Sequence, residues 1–291
     1  MRYGIVILPE YRWPQAAPLW RRAEDYGFDH AWTYDHLAWR SLADGPWFGT
    51  VPTLTAASMV TSRIQLGTFV ASPNFRHPVS FVRDVLSLDD ISAGRFLLGV
   101  GAGGTGFDST VLGEDTLPPP RLVARLGEFL ELLDRLLTED DVSYAGDYFT
   151  AVHARTQPGC LHKPRLPMVV AANGPKSLRL AARFGQGWAT TGAGGHDSTQ
   201  QWWRGIAELT TRFDDIIAQD GGEPATIDRY LSLDSAGPFA LSSAEYFTDA
   251  VGRAAELGFT DVVTHWPRAT GVYAGDEAVL DKIASDHLSA R

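Results

Sequence analysis

The stretch AEDYGFDHAWTY at residues 23–34 is one of three similar junctions, the others being AARFGQGWATT at 181–191 and AAELGFTDVVTHW at 254–266. Each begins as an Ala-rich helix end, passes through a glycine, and continues two residues later as a short apolar strand. Glycine readily adopts the left-handed conformation that ends many helices, so the pattern predicts a repeated helix-to-strand unit. The glycines expected in that conformation are Gly27, Gly94, Gly185 and Gly258.

Outward from these junctions, strands and helices are predicted to alternate along the chain. The strands are short and apolar, as expected of strands buried on both faces of a parallel sheet. Eight strand–helix pairs place the chain in the α/β class and predict a (β/α)8 TIM barrel, with an open doubly wound sheet as the alternative. Strands are predicted at 3–8, 29–34, 64–70, 95–100, 168–172, 187–190, 229–234 and 260–264, and helices near 15–26, 51–61, 78–91, 121–138, 175–184, 198–219, 242–257 and 276–288.

One segment, residues 139–167, interrupts the alternation. Within it, YAGDYFTA at 144–151 predicts a small hairpin, and QPGCLHKPRLP at 157–167 is a proline-rich connector. We interpret the segment as an insertion between the fourth helix and the fifth strand of a single domain that covers residues 1–291.

The composition indicates a protein with a large core and an acidic surface. Hydrophobic residues make up 44% of the chain, enough for such a core, and the formal net charge is -10. An acidic surface argues against nucleic acid or an anionic membrane as a partner. The chain has one cysteine, Cys160, and no apolar segment of signal-peptide or membrane-spanning type, which predicts a cytoplasmic location.

In a barrel of this kind, functional residues are expected on the loops that follow the strands. Asp35 and His36 follow the second strand and are the acid–base candidates, because histidine titrates near neutral pH. Successive side chains of a strand point to opposite faces, so only one of the two is expected to face the barrel interior. In the structural alternative, Asp35 caps the following turn and His36 is a half-buried residue whose hydrogen bonds are satisfied.

Glycines dominate the loop after the fourth strand, where GVGAGG at 99–104 matches the spacing of a dinucleotide-binding fingerprint. That fingerprint requires a helix to begin at once, whereas the chain continues as TGFDSTVLGEDTLPPP. We therefore interpret the glycines as allowing close approach of the backbone to a flat ring, or else as a flexible loop.

The loops after the fifth and sixth strands predict an anion site. Asn173-Gly174-Pro175-Lys176-Ser177 turns from a loop into a helix, whose first N–H groups favour an anion. Thr190, Thr191 and Gly192 lie on the neighbouring loop, and together the two segments form a candidate phosphate cradle, with an ordinary capped helix as the alternative. No metal is predicted, since His153, Cys160 and His162 lack the spacing of a zinc site.

Four motifs in this order resemble the luciferase-like oxidoreductases, a family of (β/α)8 barrels that bind FMN or the 5-deazaflavin coenzyme F-420. The resemblance runs from residue 1 to about 195 and is weaker in the last third of the chain. The motifs are TYDHL at 33–37, IQLGTFVASPNFRHP at 64–78, DDISAGRFLLGVGAGG at 89–104 and VVAANGPKSLRLAARFGQGWATTG at 169–192.

The resemblance implies roles for individual residues. Members of the deazaflavin branch have Asp-His after the second strand, which makes His36 the residue that exchanges a proton beside the site of hydride transfer, with Asp35 as its partner or as a cofactor contact. The family's non-proline cis peptide would fall at Phe69–Val70, behind the ring. Ala102, Gly103 and Gly104 would flank the ring, and Asn173, Gly174, Pro175, Lys176, Ser177, Thr190, Thr191 and Gly192 would hold the phosphate.

The chain departs from the sugar-phosphate dehydrogenases of this branch at two places. Gly104 stands where they carry a glutamate beside the ring, and GAGG at 192–195 replaces a lysine that contacts substrate phosphate. These departures and nearby aromatic residues suggest an apolar or planar substrate. The expected substrate contacts are Trp39, Trp47, Trp266 and Arg268, with Phe48 close by.

Three hypotheses of function follow. The first is an oxidoreductase that transfers a hydride between coenzyme F-420 and an organic small-molecule substrate. The second is an FMN-dependent monooxygenase supplied with reduced flavin by a partner reductase. The third is a non-catalytic barrel that binds a flavin. A homodimer is expected because it is the usual arrangement in the family.

Overall fold

A computed structural model describes residues 1–104, 107–195, 197–235 and 237–288. Eight parallel strands close into a barrel in the order β1-β10-β9-β8-β7-β4-β3-β2, and β5 and β6 form a separate antiparallel hairpin. The strands are β1 (Arg2–Val6), β2 (His30–Thr33), β3 (Gln65–Thr68), β4 (Phe96–Val100), β5 (Val142–Ala145), β6 (Thr150–Ala154), β7 (Met168–Ala171), β8 (Gly187–Thr190), β9 (Asp228–Ser232) and β10 (Asp261–His265).

Helices follow the strands and cover the outside of the barrel. They are α1 (Trp13–Tyr26), α2 (Thr50–Ser58), α3 (Pro78–Ile91), α4 (Phe107–Val111), α5 (Pro119–Thr138), α6 (Pro175–Phe184), α7 (Thr199–Gln219), α8 (Ala244–Glu256) and α9 (Glu277–Ile283). Within the described ranges, no helix has the length and apolar character needed to cross a membrane.

The predicted (β/α)8 barrel is confirmed, and each predicted strand overlaps an observed one. The hairpin predicted within 139–167 is also present, as β5 and β6. The sequence did not predict α4, a five-residue helix in the loop after β4.

Three of the four glycines expected in the left-handed conformation at helix ends adopt it. Gly27, Gly94 and Gly258 have φ angles of 91°, 78° and 79°. The expectation for Gly185 is wrong, because its φ is -85° and its backbone is extended. A side chain is excluded there for a different reason: a Cβ atom would lie 2.6 Å from the carbonyl oxygen of Gly187.

Large rings fill the lower part of the barrel interior and are accommodated by glycines on neighbouring strands. His30, Trp32 and Tyr230 are at most 4% exposed and pack against one another at centroid distances of 5.3 to 5.9 Å. A Cβ atom at Gly67 would lie 2.3 Å from the Trp32 ring, and one at Gly4 would lie 2.2 Å from His30. The small residues on the strands therefore create the room that the rings occupy.

A buried ion-pair network lies where β1, β2 and β10 begin. Arg2 donates to both carboxylate oxygens of Asp261 at 2.7 and 2.8 Å, and His30 Nε2 lies 2.9 Å from the same carboxylate. Burial alone would raise the pKa of Asp261, but the hydrogen bonds from His30 and Arg2 outweigh it and lower the pKa. The network reinforces the backbone pairing of the first strand with the last, and it is this pairing that closes the barrel.

Because the packing around Gly67 is tight, replacing this glycine by alanine is expected to lower stability strongly. Gly67→Ala places a methyl group against Trp32 and 2.7 Å from the Leu97 carbonyl oxygen, so we expect a loss of about 3 kcal/mol in the free energy of unfolding. Urea unfolding measures it. The control is Gly252→Ala in α8, where no described atom outside the helix backbone lies within 4 Å of the added carbon. Equal stability of the two variants would contradict the packing argument.

A second contact ties α1 to the loop before β3. The Glu24 carboxylate accepts hydrogen bonds from the backbone N–H groups of Ser62, Arg63 and Ile64 at 2.6 to 3.0 Å. Burial would raise the pKa of Glu24, but these hydrogen bonds outweigh it and the pKa falls from 4.5 to about 2.

This lowered pKa predicts an acid-dependent contribution to stability. The stabilisation is present above the unfolded-state pKa and is lost as pH falls towards the folded-state value of about 2. Because Glu24 is partly exposed, Glu24→Gln should cost only about 1 kcal/mol at neutral pH. Urea unfolding across this pH range should show the difference from wild type shrinking with acid, while Glu208→Gln on the exposed face of α7 should show none. A difference that persists in acid would exclude this role.

Candidate active site

His36 lies at the end of β2 and is held by a carboxylate from a different loop. Its Nδ1 atom is 2.9 Å from Oδ2 of Asp108, which belongs to α4 and is buried. The other oxygen of Asp108 accepts a hydrogen bond from the backbone N–H of Leu37 at 2.7 Å. An ionised carboxylate can only accept, so Nδ1 donates and Nε2 is left for proton exchange.

Asp35 points away from His36. Its two carboxylate oxygens each accept a 2.7 Å hydrogen bond from Arg76, and the aspartate is 1% exposed. The expectation that Asp35 is the partner of His36 is therefore wrong, and Asp108 takes that place. Asp35 instead fixes Arg76 and with it the loop that follows β3.

The loops after β3 and β4 form a wall beside the barrel opening. The Phe69–Val70 peptide bond is cis, as the family resemblance implied. Gly101 lies against Val70, since a Cβ atom there would be 2.8 Å from Val70 Cγ2. Phe69 packs at 5.5 Å from the Trp32 ring in the barrel interior, so the wall continues directly from the rings below it.

Ala102, Gly103 and Gly104 continue this wall. Gly103 has a φ of 70° and lies against Asn74, whose Nδ2 would be 2.1 Å from an added Cβ atom. Asn74 in turn accepts a hydrogen bond from Arg125 of α5. Gly104 is more open, because a Cβ atom added there would meet none of the described residues within 4 Å.

The loops after β7 and β8 come together as the sequence predicted. The Asn173 amide accepts from Thr190 Oγ1 at 2.6 Å and donates to Thr191 Oγ1 at 2.8 Å. The backbone N–H of Gly192 donates to Thr190 Oγ1 at 3.0 Å. Gly174 precedes Pro175, the first residue of α6, and Ser177 Oγ bridges back to Gly174, while Lys176 is exposed.

The four predicted substrate contacts divide into two pairs. Trp39 packs edge-on against Tyr34 at 5.0 Å, and Trp47 donates a hydrogen bond from Nε1 to the carbonyl oxygen of His36 at 2.8 Å. Both therefore lie beside the candidate acid–base residue.

The structure contradicts the other pair. Trp266 stacks on Tyr26 of α1 and donates to Glu277, outside the barrel. Arg268 is bound by both oxygens of Glu10 at 2.7 and 2.8 Å and also donates to loop carbonyls. Strand alternation explains the error for Trp266, because its neighbour His265 points inward. Phe48 also faces outward, in a cleft between α1 and α2.

A buried chain of hydrogen bonds at the barrel opening was missed by sequence reasoning. Asp234 Oδ2 lies 2.7 Å from His265 Nδ1, and His265 Nε2 lies 2.8 Å from the Tyr34 hydroxyl. The Tyr34 hydroxyl is 3.0 Å from that of Tyr273. The inward position of His265 at the end of a predicted strand was the available signal, but its partners come from three other segments.

With this geometry established, comparison with known proteins identifies the family. The sequence profile described as luciferase-like monooxygenase matches residues 1–220, so the chain belongs to this family. An F-420-dependent glucose-6-phosphate dehydrogenase of Amycolatopsis mediterranei is 34% identical over 179 residues, which are 60% of this chain and 52% of that relative. The chain thus spans about half the length of this curated relative.

Solved structures share the barrel over nearly the whole chain. An F-420-dependent secondary alcohol dehydrogenase superposes with a TM-score of 0.80 at 18% identity, covering 97% of this chain and 96% of that one. A monooxygenase from Streptomyces bottropensis also gives 0.80, at 19% identity and 99% coverage of both chains. At these identities the likeness concerns the fold, which both kinds of enzyme share.

The Asp108 contact predicts the tautomer of His36. In the neutral wild-type imidazole, Nδ1 should carry the proton, and Asp108→Asn should weaken this preference because an amide can also donate to Nδ1. Long-range proton–nitrogen NMR distinguishes the two ring nitrogens. The spectra are recorded at about pH 9, which is above the ordinary range of histidine pKa values. The control is Asp84→Asn, because the Asp84 carboxylate lies 3.4 Å from Arg76. A wild-type His36 protonated at Nε2 would refute the assignment.

Proposed function

We propose that the protein is an oxidoreductase that transfers a hydride between coenzyme F-420 and an organic small-molecule substrate. The observation that carries the proposal is His36, which Asp108 fixes just after β2 so that Nε2 is left for proton exchange. The name of the glucose-6-phosphate dehydrogenase relative supports F-420 as the cofactor. The departures at Gly104 and 192–195 argue against a sugar phosphate as the substrate.

The described residues fit such a cofactor in two places. At the loops after β7 and β8, the hydrogen bonds of Thr190 Oγ1 and the Gly192 N–H fix the shape of the cradle, while the Asn173 amide and the Thr191 hydroxyl lie exposed near the start of α6. Hydroxyl, amide and helix N-terminal donors of this kind suit a phosphate group. Pro175, Lys176 and Ser177 would complete this cradle from the first turn of α6.

The flat ring would lie against the wall after β3 and β4. Phe69 and Val70 would contact its back face, and Ala102, Gly103 and Gly104 would flank its edge. Because Gly103 and Gly104 have no side-chain carbon, a flat ring could come close to the backbone at this part of the wall.

When bound, the deazaflavin would supply the two-electron centre that accepts or returns the hydride. The chain would orient that centre, exclude water from it with Trp39 and Trp47, and exchange one proton through His36 Nε2. Asp108 would hold His36 in the required tautomer and would stabilise its protonated form. Asp35 would act indirectly, by fixing Arg76.

Two alternatives remain as outcomes of the test. The family profile, described as luciferase-like monooxygenase, supports an FMN-dependent monooxygenase with a partner reductase as the second candidate. The third is a barrel that only binds a flavin. We further propose a single-domain protein that acts as a homodimer in the cytoplasm, on the basis of the family resemblance and the single cysteine.

Cofactor binding to the purified protein tests the proposal. We expect oxidised F-420 to bind more tightly than FMN in parallel fluorescence titrations. Thr190→Val removes the hydroxyl that joins Asn173 to Gly192, and should weaken F-420 binding about tenfold, or by about 1.4 kcal/mol. Thr211→Val on α7, whose hydroxyl donates to the Ala207 carbonyl oxygen of the same helix, should leave binding unchanged.

Each outcome selects one hypothesis. Preferential FMN binding supports the monooxygenase, and binding of neither cofactor refutes the cradle. In His36→Ala, F-420 binding should persist while turnover is lost. A variant that keeps full turnover would contradict the assigned role of His36.

A further inference from the structure

The barrel opening divides into two halves along the strand order. The phosphate cradle, the wall and His36 lie at the ends of β8, β7, β4, β3 and β2. The remaining half, at the ends of β2, β1, β10 and β9, carries the hydrogen-bonded chain Tyr273–Tyr34–His265–Asp234. The proposed cofactor site does not use this chain, and Tyr273 at its end is only partly buried.

We infer that Tyr273 exchanges a proton with the oxygen of a hydroxyl or carbonyl substrate, passing it through Tyr34 to His265. This inference rests on the proposed function and deepens it. It defines the substrate class as an alcohol or the corresponding carbonyl compound, with secondary alcohols and their ketones as the probes.

The direction of the hydrogen bonds follows from Asp234. Its carboxylate accepts from Ala240 N, Thr264 Oγ1, His265 N and His265 Nδ1 at 2.7 to 3.0 Å. Because Nδ1 donates, the Nε2 atom of a neutral His265 must accept from Tyr34, and Tyr34 then accepts from Tyr273. The Tyr273 oxygen is left with lone pairs, which suits it to accept a proton from an alcohol.

The tyrosines remain neutral links in this chain. Burial raises the pKa of Tyr34 well above its ordinary value, and burial likewise raises the pKa of Tyr273. Both hydroxyls therefore keep their protons near neutral pH, and a proton can pass only as each hydroxyl receives one and gives one. His265 is the group that finally holds the proton, as an imidazolium facing Asp234.

Tyr273 is held in place at a conformational cost. Its φ is 61°, which is unfavourable for a bulky residue, and its ring stacks on His265 at 3.6 Å and 8°. Arg268 fixes the loop by donating to Val272 O and Thr270 O while Glu10 binds the same guanidinium. A strained and clamped tyrosine at a barrel opening is typical of a functional position rather than of simple packing.

Oxidation of an alcohol to a carbonyl compound removes one hydride and one proton from the substrate. In the oxidative direction a bound, oxidised F-420 would supply the acceptor for the electron pair of the breaking substrate C–H bond, which would leave as a hydride. The substrate O–H proton passes to Tyr273, the Tyr273 proton to Tyr34, and the Tyr34 proton to His265, which leaves a ketone. The reverse sequence reduces the ketone.

The test uses full-length protein with oxidised F-420 and three probe alcohols: 2-propanol, cyclohexanol and 1-phenylethanol. We expect wild type to oxidise at least one of them, seen as loss of the visible absorbance of F-420. Tyr273→Phe should lower kcat about 100-fold, with the Kd for F-420 and the melting temperature unchanged. Tyr144→Phe, in strand β5 of the separate hairpin, should retain wild-type kcat.

A second measurement does not need turnover. Proton NMR should show a far-downfield His265 Nδ1–H signal that Asp234→Asn removes, and Tyr34→Phe should shift the Nε2 resonance because its donor is lost. An unchanged His265 spectrum in both variants would overturn the inference, as would wild-type kcat in Tyr273→Phe. F-420 binding without turnover of any probe alcohol or its ketone overturns this inference alone, whereas failure to bind F-420 overturns the proposed function as well.

Discussion

The alternation of side chains along β2 connects the packing of the barrel to its chemistry. Every second residue from His30 onward points inward, with ring-centroid distances of 5.3 Å for His30–Trp32 and 6.0 Å for Tyr34–His36. His30 joins the ion pair between the first and last strands, and Trp32 fills the barrel interior. Tyr34 and His36 then reach the opening, so one strand register fixes the stability and the candidate acid–base residues together.

This arrangement requires small residues on the neighbouring strands. Gly4 and Gly67 face His30 and Trp32 at distances that would not admit a methyl group. Gly101 similarly allows the Val70 side chain to approach the β4 loop. The wall that we assign to the cofactor ring therefore rests on the same packed interior, because Phe69 contacts Trp32 from above. A change deep in the barrel would be transmitted to the wall through this contact.

The sequence predicted the fold well because the decisive signals are local: helix ends, short apolar strands and their strict alternation. It also brought Asn173 and Thr190 together, since adjacent parallel strands place their following loops side by side. It failed for Asp108, which lies 72 residues from His36 in a loop without a recognisable motif. Trp266 was misassigned although alternation was available: once His265 points inward, its neighbour must point outward towards α1.

The placement of the two histidines has a consequence for the proposed chemistry. Hydride transfer between an alcohol and a deazaflavin involves a proton at the substrate oxygen and a second proton at the cofactor. A single histidine would have to serve both in turn, but here His36 with Asp108 and His265 with Asp234 form two separate pairs on opposite sides of Tyr34. The Tyr34 ring contacts both imidazoles, and its hydroxyl hydrogen-bonds to His265. The two protons could therefore be handled independently, because each histidine has its own carboxylate to orient the neutral ring and to face the protonated one.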